Sequence, residues 1–79
     1  MQAVSDTKIN GRWWHDVPPN DANRGDRVVF FDRGYRTALV ADRRRRTVKT
    51  CDSKIDGIKI AGRSVKIEAI TRCLRRGRT

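Results

Sequence analysis

Four consecutive arginines, Arg43-Arg44-Arg45-Arg46, are the residues best suited to chemistry in this 79-residue chain. Each guanidinium is a rigid fork of N–H donors that matches the oxygens of a phosphate or carboxylate. Crowded together, the four repel one another. Beside phosphates that repulsion becomes attraction, because bound counterions are released. The plain alternative is a solvated turn, the usual fate of an isolated charge run. The rest of the chain weighs against it. Lys+Arg total 19 and Asp+Glu total 9, a formal charge of +10. So large an excess on so short a chain points to a polyanionic partner. Nucleic acid, DNA or RNA, is the first such partner, and an acidic protein surface is the alternative.

Further basic residues gather around the same idea. Lys49, Lys59 and Lys66 each sit at outward positions of expected strands, flanked by residues expected to face inward. Neighbouring strands would put the three ammonium groups on one face, although lysines there also guard sheet edges against aggregation. Arg33, Arg36 and Arg63 fall at or near expected turns and extend that face. Arg72, Arg75 and Arg76 share one side if the C-terminus is helical, where they would also suit a helix C-terminus.

Other chemistries find little support. His15-Asp16 stands alone in a polar segment, with no nucleophile placed by a motif. Phosphate loops, metal motifs and paired carboxylates are missing from the sequence. Cys51 and Cys73 form no C-x-x-C pair, and His15 is distant. Neither catalysis, a metal nor a cofactor is expected, and the cysteines read as reduced, core or half-buried residues. Among the aromatics, Phe30 and Phe31 are expected in the core and Tyr35 beside a turn, so phosphate contacts are favoured over base stacking. No run approaches the ~18 apolar residues of a membrane helix. The N-terminus lacks the charged-then-apolar pattern of an export signal. A cytoplasmic protein is expected, with association with nucleoid or ribosome left open.

These side chains need elements to carry them. Residues 1–24 hold three basic and three acidic groups, so the whole +10 lies in residues 25–79. Asn10-Gly11 and Pro18-Pro19-Asn20 mark residues 1–24 as an irregular leader, with at least one of Trp13 and Trp14 packing back onto the body. Val28-Val29-Phe30-Phe31 reads as a strand covered on both faces. Thr37 to Ala41 and Thr47 to Cys51 are further strands, with the arginine run as the charged tip between them. Asp56-Gly57 closes a polar loop. Ile58-Lys59-Ile60 and Val65-Lys66-Ile67 alternate across Ala61-Gly62-Arg63, which predicts a hairpin with its isoleucines and valine inward. Ile67, Ile70 and Leu74 fit one or two helical turns over residues 68–76. One helix from Ser64 to Arg76 competes with this hairpin, but β-branched Val65 and Ile67 disfavour it. Residues 77–79 form a tail. The expected fold is all-β: a small five-stranded barrel over residues 25–76, with an irregular leader and a short C-terminal helical turn.

Arg24-Gly25-Asp26-Arg27-Val28-Val29 resembles the opening strand of SH3-like barrels, including KOW-type modules of ribosomal and transcription-elongation proteins. There a Gly-Asp-x-Val strand precedes a second strand, a charged hairpin and a Thr-Val-x-Val strand. Here Ala38-Leu39-Val40 to Asp42 and Thr47-Val48-Lys49-Thr50 fill those places, and Gly34 stands between the first two strands. The resemblance covers residues 25–71 and implies binding of RNA, DNA or protein. The charge pattern itself fits a nucleic-acid-binding regulator associated with transcription, translation or a mobile element. The same topology also resembles plasmid-encoded type II dihydrofolate reductases, which carry Val-Gln-Ile-Tyr on a late strand. This chain has Val65-Lys66-Ile67-Glu68 instead, so that activity is not implied.

Overall fold

The computed structural model describes residues 6–55 and 57–78, with residues 53–55, 59 and 60 described by their backbone. The fold is all-β, with no α-helix among the described residues. Its strands are β1 (Asp6–Ile9), β2 (Arg12–Val17), β3 (Arg27–Phe31), β4 (Tyr35–Arg43), β5 (Thr47–Thr50), β6 (Ser53–Ile55), β7 (Ile58–Ile60), β8 (Ser64–Lys66) and β9 (Ile70–Arg76). Seven form one open antiparallel sheet in the order β1-β2-β9-β3-β4-β5-β8, while β6 and β7 pair separately. The expected five-stranded barrel, closed or partly open, is therefore corrected to an open seven-stranded sheet.

The leader supplies two of those strands. Asn10 and Gly11 both take positive φ, 51° and 78°. That is the backbone of the tight hairpin turn for which Asn-Gly is the preferred pair. Ile9 then faces Arg12 and Thr7 faces Trp14. β2 adds this hairpin to β9, with Val17 opposite Cys73. The C-terminal residues expected to be helical form only a 3-10 turn, Ile67–Ala69, followed by a strand. The bulge at Thr71 breaks the alternation of β9, so the buried Ile70, Cys73 and Leu74 fall at helical spacing although Thr71 and Arg72 are exposed.

The Ile58–Ile60 hairpin also has a different partner. It pairs with Ser53–Ile55 across residues 56 and 57. A two-residue Asp-Gly connection closes a hairpin more readily than the three-residue Ala61-Gly62-Arg63. Gly57 takes φ 80°, whereas Asp56 lies outside the described residues. Ile58, expected inward, is 68% exposed, and the Ile60 side chain lies outside the described set. Val65 and Ile67 are buried as expected. They join Ala22, Val28, Phe30, Val40, Val48, Ile70 and Cys73 in the core. β3 alternates instead of being covered twice: Val28 and Phe30 are buried, and Phe31 is exposed.

Two bulges shape the sheet. Ala41 is the extra residue between Val40 and Asp42, where β4 leaves β3 and turns along β5. Thr71 is the extra residue in β9, and its hydroxyl donates to Val29 O at 3.1 Å. Burial raises the Cys73 thiol to about 11, while Cys51 is exposed, and both are free. A thiol-specific maleimide at pH 8 is therefore expected to modify only Cys51 in the native protein, and both cysteines after denaturation. Mass spectrometry checks this, and rapid native labelling of Cys73 would contradict its placement.

Candidate nucleic-acid interface

The arginine run does form a hairpin tip, between β4 and β5. Arg44 N–H donates to Thr47 O at 2.8 Å, leaving Arg45 and Arg46 at the corner. Ile67 N–H donates to Arg46 O at 3.0 Å, which seats the 3-10 turn against the tip.

The four arginines are not equivalent. Arg43 is half-buried and bonded to the backbone. Its guanidinium donates to Asn20 O (2.8 Å), Ala22 O (2.7 Å) and Arg44 O (2.7 Å). It clamps the end of β4 to the 3-10 turn Pro19–Asp21. Arg44 forms an exposed ion pair with Asp42 at 3.1 Å. Arg45 and Arg46 make no ion pair or side-chain hydrogen bond among the described residues. They line an open groove of about 510 Å³ with Lys66, Thr47 and Asn20, and Glu68 is its one lining carboxylate.

Strand register extends this cationic corner. Thr47 pairs with Lys66 and Lys49 with Ser64, so Lys49 and Lys66 project from one face as diagonal neighbours. Lys59 does not join them. It lies on β7 opposite Lys54, in the separate hairpin, and its side chain is outside the described set.

The remaining candidates divide. Arg33 lies in the β3–β4 turn and Arg36 just after it at the start of β4, at the other end of that strand from Arg43, whereas the backbone of Arg63 pairs with Thr50 and only its side chain reaches toward the turn. Arg63 pairs with Asp32 at 2.6 Å and Arg36 donates to Asp32 O at 3.2 Å. The hydrogen bond from Arg63 holds the Asp32 carboxyl below its ordinary value. Arg72, Arg75 and Arg76 do not share a helical side, because β9 is a strand. Arg72 forms an exposed two-point pair with Asp16, whose carboxyl that bond also lowers. Arg75 forks onto Asp26, which is 3% exposed, and donates to Asp21 O. Arg76 lies opposite Trp14 on the other side of the strand.

Several residues of this surface were missed from sequence. Arg12 and Arg27 reach the same side as Arg76, and the Arg27 guanidinium lies 5.0 Å over the Trp14 ring. No spacing pattern marks them, since their proximity depends on β2 joining β9. Gly77, placed in the tail, donates to Trp13 O at 2.7 Å, and its carbonyl lies 2.9 Å from His15 Nδ1. His15 therefore fastens the C-terminus, while its neighbour Asp16 serves Arg72.

No family model, no curated protein and no solved structure matches this chain. The site is therefore read from its own geometry. Among the described residues no cluster of three or more His, Cys, Asp or Glu could hold a metal. No described helix is long and apolar enough to cross a membrane.

Proposed function

We propose that this chain is a non-catalytic nucleic-acid-binding module that grips phosphates with the β4–β5 tip and the outer face of β5 and β8. One observation carries the reading: Arg45, Arg46 and Lys66 converge on one open groove, and the two arginines have no protein partner among the described residues. Cations left in water at a groove of this kind cost little until phosphates arrive, and counterion release then drives binding. Lys49 continues the charge along the same face.

The likeness to SH3-like, KOW-type modules supports the same reading. Gly25-Asp26 leads into β3, and β3, β4 and β5 are successive antiparallel neighbours with the arginine tip between the last two. We read these strands as the SH3-like part of the sheet, with β1 and β2 as an addition beyond it.

Mobility shifts with duplex DNA and duplex RNA test the proposal. Four phosphate contacts from Arg45, Arg46, Lys49 and Lys66 predict a slope of log Kobs against log salt of about −3.6 on duplex DNA. If neither duplex is shifted at roughly 50 mM salt, where such contacts are strongest, the reading falls and an acidic protein becomes the expected partner.

A further inference from the structure

The β3–β4 pair carries a second surface, on the side away from the core. Its register is unbroken from Arg27 opposite Leu39 to Phe31 opposite Tyr35. Val28 and Phe30 take the core side, so alternation puts Arg27, Val29, Phe31, Tyr35, Thr37 and Leu39 on the other. At one end the Phe31 and Tyr35 rings meet edge to face, with centroids 5.4 Å apart. They are 63% and 75% exposed. Two adjacent aromatic rings left in water are unusual on a small soluble fold and mark a contact site. Arg33 sits in the turn between them with φ 57°, while Arg36, opposite Phe30, and Arg63, whose guanidinium lies 5.0 Å over the Phe30 ring, occupy the other side of the strands.

The other end of this face lies four residues away along β3, about 13 Å. Arg12, Arg27 and Arg76 line a depression of about 410 Å³ there, with Trp14 and no carboxylate among its described lining residues. Trp14 Nε1 and Arg27 Nε are buried N–H donors without a protein acceptor. Unpaired buried donors and uncompensated guanidinium groups favour an oxyanion.

We propose that this face binds single-stranded nucleic acid, with bases stacked on Tyr35 and Phe31 and a backbone phosphate among Arg12, Arg27 and Arg76. The proposal rests on the nucleic-acid reading above and adds base contacts to it. Every base has a π-face, so aromatic rings beside positive charge form a sequence-tolerant platform. A second copy of this chain is the less suitable occupant, because two bodies of charge +10 repel.

Fluorescence anisotropy with a short oligothymidylate, and with an abasic oligomer of the same backbone charge, separates stacking from phosphate contact. Wild type is expected to bind the oligothymidylate at least about tenfold more tightly. Tyr35→Ala should lose about tenfold on the oligothymidylate and less than about twofold on the abasic oligomer, and Tyr35→Phe should restore the difference. Tyr35 is exposed enough that both variants keep the fold, checked by their melting temperatures. Equal binding of the two oligomers by wild type overturns this inference and leaves phosphate binding by the arginine tip standing. Failure to bind either oligomer or any duplex overturns both. A concentration-dependent dimer abolished by Tyr35→Ala assigns the rings to a second copy and overturns the inference.

Discussion

Arg75→Ala is expected to destabilise the fold by about 3 kcal/mol, while Arg72→Ala costs under about 1 kcal/mol. The two arginines are three residues apart on β9 and each forks onto one aspartate. What differs is the aspartate. Asp26 is 3% exposed, sits where Asn23 N–H and the Cys73 thiol also reach its carboxylate, and holds the entry to β3. Removing Arg75 leaves that carboxylate buried with much of its compensation gone. Half of the Arg75 side chain faces water, which places the expected cost at the low end of the range for broken buried pairs. Asp16 and Arg72 are both substantially exposed, so water replaces each partner. The Asp16 carboxyl titrates below its ordinary 3.8 in the folded protein. What that pair contributes is therefore present above that pH and is lost as pH falls through the lowered value. A chain of this length is expected to be stable by only about 4–12 kcal/mol. The Arg75 change should be plain in a urea titration as a shifted midpoint with unchanged slope. Equal effects of the two substitutions would mean that Asp26 is solvated.

This contrast shows where sequence reasoning succeeds and stops. Strands β3, β4 and β5 and the arginine tip were legible because β-branched runs and a charged break are local signals. Strand β9 was not, since the bulge at Thr71 breaks its alternation and leaves the buried Ile70 and Leu74 at helical spacing. The β1–β2 hairpin was half legible. Asn10-Gly11 announces a turn, but Asp6-Thr7-Lys8 looks too polar for a strand until Trp14 and Leu74 are seen buried together beyond the core. Within the candidate site, residue type gave the charge and could not give its employment. Arg43 and Arg75 are structural clamps whose acceptors lie at least 20 residues away along the chain, apart from Arg44 O. Phe31 looked like core because it follows Val28-Val29-Phe30, yet simple alternation turns it outward.

Replacing Arg45, Arg46 and Lys66 together by alanine is expected to weaken duplex DNA binding by about 10²- to 10³-fold at about 0.1 M salt. The magnitude follows from counterion release. Each lost phosphate contact removes about 0.9 from the salt slope, and at 0.1 M that equals about 0.9 decades of affinity. Three contacts thus lower the slope by about 2.7. The fold should be little changed, since these side chains are exposed and the two arginines are unpaired. Arg43→Ala should behave in the opposite way. It removes donors from Asn20 O, Ala22 O and Arg44 O, costing about 2–3 kcal/mol of stability by the usual worth of charged hydrogen bonds. Its effect on the salt slope should be under about 1. Measuring both variants by anisotropy against salt and by urea unfolding separates gripping from clamping within one run of four identical residues. If the triple variant keeps the wild-type slope, the tip does not carry the phosphates, and the contact moves to the arginines at the far end of β4. If Arg43→Ala alone removes the slope at unchanged stability, Arg43 is itself a phosphate ligand and its backbone bonds give way when nucleic acid binds.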